Sequence, residues 1–391
     1  MSRFTKFKLH FAVSLIIFFV SLILLKIVDI VAPSPRRALD FLFPPHQKVI
    51  YKTSEFYSLA SINKFGFRGE ETALKKGQVL VVGDSFTFGF GNNNNEVWPF
   101  QLQEKIRPSG ASVDVYNLGV PGTDTIFHIN TAKSYVEKLE PSILILSVLI
   151  SDDFQQVHES GQISNSEKSF SEYVKGSLRI FYPIIYDYYT LERSARSLSN
   201  DPSDIPVVTA QWREQSLKYL SDHKLSYPDD IKARIEVGDI NPGLLYLARQ
   251  YPDRAWSFWK NLTVSGSSEL ATLLKIESEL LSLRDLVVKK GGRLYIFSMP
   301  SGAFVRSKVF GNYRKYGFTS SENILTSFEP EVALAALSAK VGAEFIPSLD
   351  YFRGVSGEEL FFPYDGHLTS FGNLQVARLL HGAIFDRDSI N

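Results

Sequence analysis

The chain has 391 residues, 44% of them hydrophobic, with 42 basic and 42 acidic side chains and no cysteine. That length is enough for one large core or two modest ones. Balanced charge gives no electrostatic reason for a nucleic-acid partner, and the lack of cysteine excludes disulfides, thiolate catalysis and Cys-ligated metals.

Arg3, Lys6 and Lys8 precede residues 11–25, a stretch without a charge, and the apolar character runs on to Ala32. About 20 apolar residues span a bilayer as a helix, so 1–32 is expected to be a cytoplasmic stub and a transmembrane anchor. The basic end would place the rest of the chain outside the cytoplasm, although Arg36 and Arg37 after the span weaken that orientation. A cleaved signal peptide is the competing reading, with Pro33 working against a cut after Ala32. Residues 33–78 form a linker opened by Pro33, Pro35, Pro44 and Pro45, then an extended lead-in.

A strand–helix alternation follows. Residues 79–83 (VLVVG) are expected as a strand, 96–106 as a helix, 111–118 as a strand and 124–139 as a helix. Residues 143–150 (ILILSVLI) are continuously apolar, as a strand covered on both faces should be. The pattern resumes with a helix over 268–290, a strand over 293–298, a helix over 330–341, a short strand over 343–347 and a closing helix over 370–385. Such alternation argues for a parallel sheet of about five strands with helices on both sides. The core domain is thus 79–154 with 266–391, split by an insertion over 155–265. That insertion holds Trp212, Trp256 and Trp259 and the cluster Tyr182, Tyr186, Tyr188 and Tyr189. It is expected to be a mostly helical lid, its aromatics filling a small core of their own or walling the site.

The chemistry begins at Ser85, at the C-terminal end of the first strand, where open α/β sheets place their sites. Alone, Gly83-Asp84-Ser85 is equally a glycine-rich turn with a capping serine. A serine nucleophile needs a base, an orienter for the base and oxyanion donors. Of the seven histidines, His367 stands out. It follows an apolar-aromatic run, precedes a helix start and has Asp365 two residues before it. In an extended segment those two side chains point the same way. Asn92 to Asn95 form a polar loop just past the serine. No HxxxH spacing suggests a metal, and no cofactor is implied.

Together these pieces resemble the SGNH/GDSL hydrolase superfamily. Gly83-Asp84-Ser85 matches its nucleophile block, Gly122 (with Gly119 as the alternative) its oxyanion glycine, and Asp365 with His367 its last block, followed by the helix start at Gly372. The resemblance covers 79–154 and about 290–385 and leaves the insertion out. It implies a flavodoxin-like three-layer α/β/α fold and acyl transfer through a Ser85–His367–Asp365 triad, with Ser85, Gly122 and residue 152 in the oxyanion hole. Two departures are visible. Only Gly366 separates Asp365 from His367, where two residues are usual. Asp152 stands where the family has an asparagine whose amide N–H donates to the oxyanion, and an ionised carboxylate cannot donate. Three outcomes are open: a buried Asp152 beside Asp153 stays protonated, Ser151 supplies a hydroxyl, or catalysis is poor or absent. The expected function is a membrane-anchored, extracytoplasmic esterase on an O-acylated glycan or lipid ester. The alternatives are an O-acyltransferase for a cell-envelope polysaccharide and a non-catalytic envelope protein.

Overall fold

Apolar runs pair edge to edge when helices can cover both of their faces, and that is how this sheet is built. The computed structural model describes residues 13–14, 17, 20–28, 42–107, 113–163, 205 and 207–386. The chain divides into two units. The first, Met1–Phe41 with Ser164–Asp204, has described residues only between 13 and 28, all helical. Among the described residues no helix is long and apolar enough to cross a membrane. Much of the expected span over 11–32, and the whole tyrosine cluster 182–189, lies outside the described residues.

The second unit, Leu42–Ile163 with Ile205–Asn391, carries the sheet and the site. Strands β1 (Lys48–Lys52) and β2 (Tyr57–Ser61) form an antiparallel pair, where the sequence suggested an extended lead-in. Then come β3 (Val79–Gly83), helices α1 (Ser85–Phe88) and α2 (Trp98–Ile106), β4 (Val115–Gly119), α3 (Thr125–Leu139), β5 (Ile143–Leu149) and α4 (Asp153–Ile163). The described part of the insertion is helical: α5 (Trp212–His223), α6 (Asp229–Val237), α7 (Pro242–Gln250) and α8 (Arg254–Asn261). The chain finishes with α9 (Ser268–Lys289), β6 (Arg293–Met299), α10 (Gly302–Val305), α11 (Ser307–Tyr316), α12 (Glu329–Val341), β7 (Glu344–Ile346), α13 (Leu349–Gly354) and α14 (Ser370–Ile384).

The five sheet strands pair in parallel in the order β4-β3-β5-β6-β7. This is the flavodoxin-like doubly wound order, whose switch point lies between β3 and β5. Every residue of β3 and of β5 is buried, which explains why both read as unbroken apolar runs. Caps set the helix ends. Asp124 accepts the Phe127 N–H at the start of α3, Ser267 accepts the Leu270 N–H at the start of α9, and Gly342 ends α12 at φ 70°.

The insertion does not keep a wholly separate aromatic core. Trp256, Phe258 and Trp259 join the main core, and the Trp259 indole N–H donates to the Ile150 carbonyl at 2.6 Å. Trp212 packs instead with Val49, Tyr51 and Phe90, stacked on Phe90 at 6.1 Å.

Candidate active site

Three backbone decisions place Ser85. Strand β3 stops at Gly83. Asp84 then caps α1, its carboxylate accepting the Phe86 N–H at 2.9 Å. The left-handed Gly89 (φ 87°) closes the helix after one turn. Ser85 is therefore the first helical residue, and its own N–H has no acceptor within the helix. A buried arginine holds the chain just beyond. Arg68 donates to the carbonyls of Phe88 at 2.7 Å and Gly89 at 2.6 Å, and also to that of Asn92. Burial lowers its pKa to about 10, against the opposing influence of Tyr51 and Glu96. The polar loop is structural too: the Asn92 side chain donates to the Leu368 carbonyl at 2.8 Å, tying it to the histidine's segment.

His367 comes from a turn rather than the extended segment expected. Phe361 bridges Leu368, the Phe362 N–H donates to the His367 carbonyl and the Gly366 N–H to the Phe362 carbonyl, both at 2.8 Å. Gly366 takes φ 87°, and a Cβ there would collide with the Tyr313 hydroxyl. This left-handed residue lets Asp365 and His367 meet with only one residue between them. Glu55, at the β1–β2 connection, grips the same turn: its two carboxylate oxygens accept the N–H groups of Tyr364 at 3.0 Å and Asp365 at 2.8 Å.

The structure brings Ser85, His367 and Asp365 together. His367 Nδ1 lies 2.5 Å from Asp365 Oδ1, and His367 Nε2 lies 2.7 Å from Ser85 Oγ. A carboxylate only accepts, so Nδ1 carries the proton and Nε2 accepts from the serine hydroxyl. Phe86 and Phe90 flank the ring, at 4.6 and 4.9 Å. Burial alone would lower the His367 pKa. The charge and hydrogen bond of Asp365, with the charges of Asp84 and Asp152, outweigh it and raise the pKa above its ordinary value. A hydroxyl bonded to a neutral imidazole backed by a carboxylate is the arrangement that deprotonates a serine as it attacks a carbonyl.

Gly122, Ser151 and Asp152 line the same pocket as Ser85 and His367. Gly122 sits at φ 72° in the loop after β4, with open space where a Cβ would be. Gly119 is excluded from the oxyanion role. Its N–H already donates to Asn117 Oδ1 at 3.0 Å, and a Cβ would strike the Phe88 backbone nitrogen, so it serves the close approach of β4 to α1. Asp152 is only partly buried. Its backbone N–H is spent on the Leu149 carbonyl at 3.2 Å, and one carboxylate oxygen accepts from the Gln156 side-chain amide.

Asp153, not Asp152, is the wholly buried acid, and it is not among the residues lining the pocket. Its Oδ2 accepts the Leu149 N–H at 2.8 Å and lies 3.7 Å from Nδ1 of the buried His128. The Thr123 hydroxyl donates to the Val120 carbonyl at 2.6 Å and so accepts from His128 Nε2 at 3.0 Å. His128 Nδ1 is then the unprotonated nitrogen. Burial lowers the His128 pKa to about 3. Burial, then the Asp84 charge, pushes the Asp153 carboxyl well above its usual range. The His128 imidazole is thus neutral near pH 7. Asp84 is also raised, to about 7, chiefly by burial.

Sequence reasoning missed Glu55, Arg68 and the His128–Asp153 pair. Glu55 is 310 residues from Asp365, and no local pattern links them. Among the described residues no group of three or more His, Asp or Glu side chains is placed to hold a metal ion.

No family profile matches the sequence, and no curated protein matches it. Solved structures do. A member of the lipolytic protein G-D-S-L family from Veillonella parvula is 10% identical, with a TM-score of 0.35, covering 79% of this chain and 98% of that one. The psychrotrophic esterase EstA from a Pseudoalteromonas species is 10% identical with a TM-score of 0.37, covering 81% and 100%. An acetyl xylan esterase, AlAXEase, is 10% identical with a TM-score of 0.36, covering 79% and 100%.

Proposed function

We propose that this chain is a serine ester hydrolase of the SGNH/GDSL kind. The observation that carries the reading is the hydrogen-bonded series Ser85 Oγ, His367 Nε2, His367 Nδ1, Asp365 Oδ1 at the C-terminal end of β3. In this reading Ser85 Oγ attacks the ester carbonyl while His367 Nε2 takes its proton. Asp365 holds the ring and stabilises the imidazolium. The N–H groups of Ser85 and Gly122 receive the oxyanion. His367 returns the proton to the departing alkoxide, and water releases the acyl group by the same steps.

The substrate we propose is an O-acyl ester of a glycan or lipid. The N-terminal segment 11–32 would hold the enzyme at a membrane with the site outside the cytoplasm. The basic residues Arg3, Lys6 and Lys8 beside an uncharged stretch support that orientation. Alkaline extraction tests the anchor, which requires the chain to stay in the pellet.

The test of the chemistry uses the full chain, p-nitrophenyl acetate and a fluorophosphonate probe. Wild type turns over the ester and labels at Ser85, and Ser85→Ala loses both. Failure of the wild-type chain to label would overturn the reading. Asp152, a carboxylate at an oxyanion position, favours a second reading in which the fold binds acyl esters without turning them over. Labelling without turnover would support it.

A further inference from the structure

Beside Ser85 lies a cavity of about 150 Å³. Two apolar walls bound it. Leu244 and Leu247 of α7 form one, and Phe310, Phe318 and Ile324 form the other. Ala303, Phe86 and Leu149 also line it, with Ser301 and Arg314 among the polar members. The α7 wall is firmly set. Asn241 caps the helix, accepting the Gly243 N–H at 2.9 Å, and Pro242 opens it. Leu245 and Ala248 on its other side pack with Ile231, Ile235, Ile240 and Tyr316. Leu244 also packs against that small core, and it lines the cavity together with Leu247, one turn on. The Thr319 N–H donates to the Pro252 carbonyl at 2.7 Å, joining the two walls past the end of α7.

We infer that this cavity is an acyl-chain site, and that the enzyme acts on esters of short-to-medium acyl groups of about six carbons rather than on acetates. The inference rests on the esterase reading above. In an acyl-enzyme the acyl carbon is bonded to Ser85 Oγ, so the chain beyond that carbon must lie in whatever space adjoins the serine and Gly122. Here that space is mainly apolar, with Arg314, Asn241 and Ser320 among its polar lining residues. An apolar cavity of about 150 Å³ takes a guest the size of benzene, six carbons. Each methylene moved from water into it favours binding about fourfold. The wall residues on α7 belong to the insertion and lie outside the four sequence blocks, so this preference is a property of this chain.

The test measures kcat/KM of the full chain on p-nitrophenyl acetate, butyrate, hexanoate, octanoate and laurate. A second series uses acetate esters of lengthening alcohols. The expected result is a rise of at least tenfold from acetate to hexanoate, a fall beyond octanoate, and no comparable rise in the alcohol series. Leu247→Trp, which adds bulk at a lining residue of the cavity, should lower the hexanoate-to-acetate ratio at least fivefold. Leu247→Ala should move the optimum to longer chains. A flat or falling acyl series on an enzyme that does hydrolyse acetate would overturn the acyl site and leave the esterase reading standing. A rise in the alcohol series alone would assign the cavity to the leaving group and overturn the inference. Absence of turnover of every ester would instead remove the esterase reading, and the inference with it.

Discussion

Replacing Asp152 by Asn should speed the ester hydrolysis proposed above. One Asp152 oxygen accepts from the Gln156 side-chain amide, and the carbonyl of an asparagine can keep that bond. The other oxygen then becomes an NH2 group at the wall of the pocket shared with Ser85 and Gly122. Losing one oxyanion donor costs about 3 kcal/mol in enzymes that have it, so adding one can contribute up to that amount. Two charge effects accompany the change. The carboxylate repels an oxyanion, at about 4 kcal/mol for a 4 Å separation near a protein surface. The same carboxylate supports the His367 imidazolium. In a transition state that carries both charges these effects oppose one another, which leaves the hydrogen bond as the net gain. A gain of about 2–3 kcal/mol is a rise of roughly 30- to 150-fold. The pH profile gives a second readout. Losing a negative charge beside His367 lowers its pKa, so the variant's acid limb of kcat/KM should move to lower pH. In the wild type that limb should lie above about 6.5, the ordinary histidine value. The assay is p-nitrophenyl ester hydrolysis across roughly pH 5–9, with urea unfolding as a control. An Asp152→Asn enzyme that is equally stable and no faster would refute the placement of residue 152 at the oxyanion.

Other substitutions follow from the supports of the site. Glu55→Gln turns one acceptor into a donor facing the N–H of Tyr364 or Asp365. It should cut kcat about tenfold with KM little changed, measured on the same ester, because a misplaced base costs rate rather than binding. Arg68→Ala strips the donor from the carbonyls of Phe88, Gly89 and Asn92. At about 1 kcal/mol each, urea unfolding should show a loss near 3 kcal/mol. Gly366→Ala meets both an unfavourable φ of 87° and the Tyr313 hydroxyl. Ester turnover should fall by more than tenfold while circular dichroism stays native, since the strain falls on the turn that aims the base.

The legible parts of this protein were the ones whose physics is local. β3, β5 and β6 announce themselves because a strand covered on both faces must be apolar throughout, and their observed ends lie within a residue or two of those expected. Ser85 and His367 were legible because each sits where a strand or apolar run gives way to a helix start. The β1–β2 hairpin carried a usable signal: Val49 and Tyr51 alternate with exposed or half-exposed neighbours, a period of two over only five residues. The four-residue helix α10 gave too few turns for a helical period to emerge. Glu55 and Arg68 had no signal of their own, since a carboxylate gripping two distant N–H groups looks like any surface acid in the sequence. Which acid of the Asp152–Asp153 pair is buried was not legible for a similar reason. Asp152 and Asp153 are adjacent and chemically identical, and only the fold decides which one it buries.

Ser85 and His367 stand 282 residues apart in the chain, and this separation sets a timetable. At roughly 5–20 residues per second of synthesis, the serine waits some 15–55 seconds for its base to be made. The Trp98 N–H, just after the nucleophile's loop, also waits for Asn373 Oδ1, 2.9 Å away in the last helix. The segment that supplies the base therefore also closes the core around the nucleophile. A growing or prematurely ended chain holds a serine with no means of activation, so the proposed hydrolytic competence and completion of the fold would arrive as a single event.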